Sequence, residues 1–282
     1  MILEKAPAKI NLTLDVLRKR DDGYHEVEMI MTQVDLADRL SFEKIQGNQI
    51  VIESESRFVP NDRRNLAYQA AKLLMERMGV KAGVKITIDK KIPVAAGLAG
   101  GSTDAAAAFR GINRLFDLGC TYDTLGKLSE ELGSDIPFCI QGGTQLATGR
   151  GEKLTKLPSL PSCWVVLAKP NIGVSTRDVY KRVDLTSMDH PNTKAAKQEL
   201  ENQHFKGICA ELKNVLEPIT ASMYRDVAKI KSQMENAGAD GVLMSGSGPT
   251  VFALAKQESK ANRIYNQLKG FCQEVYVVRS LN

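Results

Sequence analysis

No cysteine pair is spaced as a metal or redox motif in this chain. Its five cysteines, at 120, 139, 163, 209 and 272, form no Cys-x-x-Cys unit, and an odd number cannot be consumed by intramolecular disulfides. Reduced thiols and a cytoplasmic location are therefore expected. No apolar run approaches the roughly 20 residues that span a bilayer, and Met1 to Lys5 lack the charged and apolar regions of a signal peptide, so no membrane partner is expected. Internal repeats and low-complexity tracts are also missing. The basic residues outnumber the acidic ones, 38 to 33, yet they are dispersed rather than gathered into a tail or an arginine-rich stripe. That excludes a nucleic-acid partner as the first reading and leaves a mild bias toward anionic small ligands. What is present is ordinary for an enzyme core: 282 residues, 43% hydrophobic and 25% charged, enough for about two domains.

The most informative segment is Pro93-Val94-Ala95-Ala96-Gly97-Leu98-Ala99-Gly100-Gly101-Ser102-Thr103-Asp104. It follows an alternating apolar run and opens an alanine-rich helical stretch. Glycines here let the backbone turn tightly and aim several N–H groups at one spot, which the first helical turn also makes electropositive, so the geometry suits a phosphate. The segment holds no lysine, which excludes a nucleotide-binding P-loop of the Gly-Lys-Ser/Thr kind. A plain glycine turn before a helix is the competing reading.

Alternation predicts strands over Ile10–Val16 and Val84–Ile88, and helical spacing predicts a helix over Asn65–Met78 with Asn65 as its cap. Helices are also predicted over Thr103–Phe116, Thr124–Leu132, Met223–Ala237 and Glu258–Lys269. Further strands are predicted over Trp164–Ala168, Gly241–Met244, Thr250–Ala255 and Val275–Arg279. Residues 184–202 read as a polar connection plus a surface helix. Gly151, Pro158 and Pro161 punctuate a composition shift, which places a domain boundary between 155 and 156. The fold class is α+β.

Two further blocks bear on the glycine loop: Ala6-Pro7-Ala8-Lys9-Ile10-Asn11-Leu12-Thr13-Leu14-Asp15-Val16 and Leu243-Met244-Ser245-Gly246-Ser247-Gly248-Pro249-Thr250-Val251-Phe252-Ala253. Together the three resemble the GHMP small-molecule kinases, and the resemblance spans nearly the whole chain. It implies a two-domain architecture, with an ATP-binding domain like ribosomal protein S5 domain 2 over 1–155 and a ferredoxin-like α/β sandwich over 156–282. Arg20-Asp21-Asp22-Gly23-Tyr24-His25 resembles the branch of that family whose acceptor alcohol carries a cytidine diphosphate. That implies transfer of a phosphoryl group from MgATP to the C2 hydroxyl of a cytidylyl-linked methylerythritol.

On local sequence, Asp135 before Ile136-Pro137 reads as a helix cap, and Lys9 as an exposed lysine or one with an anionic partner. The resemblance implies instead that Asp135 is the carboxylate that orients the acceptor hydroxyl and takes its proton, with Lys9 beside it. It assigns Pro93 to Thr103 and Asn65 to ATP and offers Ser102 as an oxygen near the Mg²⁺, with no dedicated metal cage. Asn11 is implied near the substrate hydroxyls, Tyr24 and Tyr180 as rings against cytosine, His25 as a reader of the base, and Gly246, Ser247 and Gly248 as a supporting loop. Read locally, Tyr24 and His25 are hairpin residues after the Asp22-Gly23 turn. The chain departs from the family's usual loop in having Ala99 for glycine and Thr103 for serine. An alanine at a positive φ would be strained. A kinase for another alcohol (homoserine, mevalonate, phosphomevalonate) and a catalytically silent nucleotide- or RNA-binding regulator stand as alternatives. A monomer or homodimer is expected.

Overall fold

The computed structural model describes residues 1–281. In chain order the elements begin with β1 (Ile2–Lys19), β2 (His25–Ile45), β3 (Ile50–Ser54), α1 (Leu66–Arg77), β4 (Gly83–Asp89), α2 (Gly100–Leu115), α3 (Tyr122–Ser129), α4 (Ile136–Gln141), β5 (Thr144–Gly149) and β6 (Lys153–Lys156). They continue with β7 (Trp164–Lys169), α5 (Thr176–Tyr180), α6 (Thr193–Glu201), α7 (Phe205–Ala210), β8 (Lys213–Asn214), α8 (Glu217–Met223), α9 (Arg225–Asn236), β9 (Gly241–Met244), β10 (Val251–Ala255), α10 (Glu258–Lys269) and β11 (Glu274–Arg279). Two compact units interleave along the chain: Met1–Ala8, Leu36–Val94 and Ala99–Gly142 form one, and Lys9–Asp35, Ala95–Leu98 and Gly143–Asn282 the other. Both β1 and β2 contribute to each unit. The boundary expected at 155/156 falls inside the second.

In the first unit, β4 pairs in parallel with β3 and antiparallel with the Arg39–Ile45 part of β2. Helix α2 buries Ala105 to Ala108, Phe109 and Ile112, an apolar face wide enough to cover that sheet. Gly111 lets it seat closely, because a Cβ there would lie 2.4 Å from the Phe42 ring. Helix α1 starts as its sequence predicts: Asn65 is extended and its side chain accepts the Ala67 N–H at 2.8 Å. Helix α2 begins at Gly100, three residues before the expected Thr103. Arg110, buried in its middle, donates to Glu4 Oε2 at 3.0 Å, Lys5 O at 2.9 Å and Cys139 O at 3.0 Å, joining α2 to β1 and α4.

In the second unit a four-stranded antiparallel sheet has the order β11-β7-β10-β9. Helices α9 and α10 bury Val227, Ile230 and Met234, and Ala261, Ile264 and Leu268, at the three- and four-residue spacing that makes a helix amphipathic. Each fully buried large aliphatic chain among these contributes about 1.5–3 kcal/mol. β5 pairs with the Val27–Thr32 part of β2 and with β6, while β8 runs parallel to β1 with Thr13 opposite Lys213. The helix expected over Met223–Ala237 is interrupted: Tyr224, at φ −138° and ψ 97°, is extended and separates α8 from α9.

Candidate active site

The glycine segment leaves the second unit at Leu98 and re-enters the first at Ala99. Ala99 adopts the left-handed conformation, φ 57° and ψ 29°, and stands as the N-cap of α2 with no side-chain bond to the helix. The alanine therefore occupies the strained conformation for which glycine is the usual residue, as does Ala95 at φ 52°. The leading amides of this 16-residue helix carry no side-chain cap, an electropositive end suited to a phosphate. Ser102 is half-buried in the first turn. Thr103 is fully buried: its hydroxyl donates to Pro7 O at 2.8 Å and its N–H to Ala99 O at 2.9 Å. Pro93, Ala96 and Leu98 also turn inward, whereas Val94 and Ala95 are exposed.

Beneath the start of α2 lies a cluster that the sequence did not reveal. Lys90 Nζ donates to Asp38 Oδ2 at 2.5 Å and to Asp104 Oδ2 at 2.7 Å, and all three side chains are buried. Asp38 also accepts the N–H groups of Lys91 and Ile92. Burial pushes the Asp104 carboxyl up to about 8, with Lys90 pulling it down and Asp38 adding to the rise. A Cβ on Gly100 would stand 3.0 Å from Lys90 Nζ, so the ammonium lies directly under the glycine. Asn65, the other nucleotide candidate, has its amide committed: Nδ2 donates to Pro60 O at 2.8 Å while Oδ1 caps α1. Asp135 precedes α4, half-buried, and its side chain makes no capping bond to that helix.

The second unit assembles the remaining residues. Lys9 is buried, 4% exposed, so the exposed-lysine reading fails. Its Nζ donates to Asn11 Oδ1 at 2.7 Å and its N–H to Leu98 O at 3.2 Å. Asn11 is itself fully buried; Oδ1 also accepts the Gly246 N–H at 3.0 Å and Nδ2 faces Met29 Sδ at 3.2 Å. It therefore braces Lys9 and the 245–248 loop; its place near the substrate hydroxyls is what the family resemblance implies. The loop is held from several sides: Ser245 Oγ donates to Gly97 O at 2.9 Å, Asn214 Nδ2 to both Met244 O and Gly246 O at 2.8 Å, and Thr220 Oγ1 to Ser247 O at 3.1 Å. Nothing in the local sequence of Asn214 marks it for this role.

The aromatic residues divide into two pairs. His25 and Tyr180 have ring centroids 5.2 Å apart at an interplanar angle of 40°, while Tyr24, 59% exposed, lies under the Arg150 guanidinium at 5.3 Å. Desolvation, with Lys19 nearby, pushes His25 below its ordinary value, so the ring is neutral at neutral pH, with one nitrogen as donor and the other as acceptor. Tyr180 ends α5, which Ser175 caps and which Thr176 Oγ1 ties to Ser247 Oγ at 2.8 Å. Two residues the sequence did not single out complete the region: Asp15 Oδ1 lies 2.7 Å from His190 Nδ1.

Residues 65–143 match the N-terminal domain of the GHMP kinases and residues 194–274 their C-terminal domain. The chain belongs to the GHMP kinase family, an α+β family of ATP-dependent phosphotransferases. Within it the chain is 60% identical over 280 residues to the 4-diphosphocytidyl-2-C-methyl-D-erythritol kinase of Bacillus velezensis, covering 99% of this chain and 97% of that protein. The kinase of the same name from Bacillus subtilis strain 168 is 58% identical over the same coverage. A crystal structure of 4-(cytidine 5'-diphospho)-2C-methyl-D-erythritol kinase superposes with a TM-score of 0.85 at 33% identity, covering 100% of both chains.

Proposed function

We propose that this kinase transfers the γ-phosphoryl group of ATP to the C2 hydroxyl of 4-diphosphocytidyl-2-C-methyl-D-erythritol, in the non-mevalonate route to isoprenoids. The observation that carries the choice of acceptor is the His25–Tyr180 ring pair. A neutral imidazole edge beside a phenol ring matches what a cytosine offers, a flat face and an edge of donors and acceptors. Homoserine, mevalonate and phosphomevalonate have no ring to fill such a site. Tyr24, with Arg150 over one face, is assigned to the same end of the acceptor.

For the nucleotide, the uncapped start of α2 and the tight turn through Gly97, Ala99, Gly100 and Gly101 support the binding of phosphates through backbone amides. ATP arrives as its Mg²⁺ complex, for which Ser102 is the hydroxyl assigned. Phosphoryl transfer is mostly positioning and charge stabilisation. In the step, the C2 oxygen forms a bond to the γ-phosphorus, the bond from that phosphorus to the β,γ-bridging oxygen breaks, ADP departs, and the hydroxyl proton passes to the Asp135 carboxylate. The Lys9 ammonium, fixed by Asn11, neutralises negative charge on the phosphoryl oxygens.

The test is ADP release with MgATP and the cytidylyl compound, run beside homoserine, mevalonate and phosphomevalonate. Turnover with the cytidylyl compound alone is expected. Asp135→Asn is expected to lower kcat about 10²–10⁴-fold with the KM for ATP unchanged. Turnover of a simple alcohol at a comparable kcat/KM, or equal losses of turnover and ATP affinity in the variant, would refute the assignment.

A further inference from the structure

The segment that carries Tyr180 into α6 has almost no packing of its own. Between Val179 and Thr193, both buried, no side chain is buried. Its inner side walls a cavity of about 570 Å³, with Arg182, Asp184, Ser187, Met188 and Asp189 on the segment and Lys213 of β8 also on the lining. A stretch of chain over a void has few apolar contacts to fix it, so polar attachments decide where it sits. Asp184 bonds forward along the segment, to Thr186 and Ser187. Among the described residues, two side-chain pairs reach elsewhere. His190 Nδ1 meets Asp15 Oδ1 of β1 at 2.7 Å, and Asp189 Oδ2 meets Lys213 Nζ at 2.5 Å. They differ in weight. Asp189 is 88% exposed, and such a pair contributes little in water. The Asp15 side chain is only 6% exposed, and its Oδ1 has the Val16 N–H at 2.8 Å as its other donor, so losing His190 strips a buried carboxyl of a partner.

We infer that the Asp15–His190 pair is a latch that holds the Tyr180-bearing segment against His25, making Asp15 and His190 positioning residues for the nucleobase end of the acceptor. The inference rests on the proposed reading of Tyr180 and His25 as the cytosine site. Upstream the segment is fixed by Val179 in the core and by the Thr176–Ser247 hydrogen bond; downstream, His190 is the last strong attachment before α6. Without it the segment drifts, Tyr180 is in register for only part of the time, and apparent acceptor affinity falls by that fraction. Neither residue touches the reacting atoms. The predicted signature is therefore a change in acceptor KM with turnover and ATP binding untouched.

The test is steady-state kinetics of the full chain with His190→Ala, Asp15→Asn, the double variant and Tyr180→Ala, together with hydrogen exchange of the 182–192 amides. His190 is 45% exposed, so its alanine variant is expected to fold normally. A population of about one tenth in register raises the acceptor KM about tenfold. Expected for His190→Ala are that tenfold rise, kcat and ATP KM within twofold of the parent, faster exchange over 182–192, and no further loss in the double variant. An acceptor KM within twofold of the parent for His190→Ala, when Tyr180→Ala raises it strongly, overturns the latch while leaving the cytosine site standing. An unchanged acceptor KM in Tyr180→Ala removes the cytosine site and the latch with it. Parallel losses in kcat and both KM values would mark a general structural defect and also overturn the latch.

Discussion

Gly97→Ala measures how tightly the nucleotide loop is fitted to the 245–248 loop. Gly97 lies at φ +73°, and a Cβ built on it stands 2.3 Å from Ser245 O and 3.0 Å from Gly248 O. An alanine in the left-handed region costs about 1–2 kcal/mol from backbone sterics alone. Ala95 and Ala99, at φ 52° and 57° in the same segment, show that the loop absorbs that cost twice. The carbonyl contact is the larger obstacle. Reaching even 3.0 Å from the present 2.3 Å needs a shift of 0.7 Å between two backbones, which also strains the Ser245 Oγ to Gly97 O bond of 2.9 Å. A buried hydrogen bond of this kind contributes about 1 kcal/mol. The expected destabilisation is about 2–4 kcal/mol in all, or a fall in Tm of about 3–7 °C for a chain of this size. Thermal unfolding with and without MgATP, alongside the KM for ATP, reads both consequences, and the KM is expected to rise at least tenfold. Ala99→Gly is the control, since relief of about 1 kcal/mol of strain is offset by about 0.4–1 kcal/mol of extra backbone entropy in the unfolded chain. A Gly97→Ala protein with Tm within about 1 °C of the parent and an unchanged ATP KM would refute the reasoning.

Two further outcomes are expected. Lys90→Met leaves Asp38 and Asp104 buried without their cation, so a loss of about 3–5 kcal/mol is expected in urea unfolding; a loss below about 1 kcal/mol would mean that the carboxyl groups manage without the ammonium. Burial pushes the Cys163 thiol up to about 11 and the Cys209 thiol to about 12, so at pH 7.5 fewer than roughly one in 1,000 of either is thiolate. Mass spectrometry after iodoacetamide treatment of the native protein should find both unmodified, and alkylation of either within minutes would contradict that placement.

Local rules were readable in this sequence where the interaction that enforces them is local. Asn65 reads as a cap because its oxygen answers an amide two residues on, and the spans of β9 and α10 follow from periodicity alone. β2 is the counterexample. Its residues 29–34 are buried on both faces, so the alternation that betrays a half-buried strand is missing from this part of the 21-residue strand. The break at Tyr224 leaves no mark in the sequence for a related reason: the apolar spacing continues across a residue whose backbone is extended. Among the candidate site residues, Lys9, Asp135 and the glycine segment stand out through resemblance to short family motifs. Asn11 stands out in the same way, but a motif names a residue without saying which way its side chain turns, here onto Lys9 and the Gly246 N–H. Asp15 and His190 lie 175 positions apart, and Lys90 reaches an aspartate 52 positions away; such pairs become visible only once the chain has folded.

The interleaving of the chain bears on how this protein can be recombined. The second unit includes residues 95–98, and Gly97 is shaped to Ser245 so closely that a single methyl group would not fit. A crossover between divergent relatives placed just after residue 142 would look clean on a linear map, yet it would bring a 245–248 loop from one parent against a residue 97 turn from the other. Chimeras that also exchange 95–98 keep that contact intact, and those that exchange 9–35 as well keep the Asn11 bond to the Gly246 N–H, so a carboxyl-terminal graft into this fold has two passengers from far upstream.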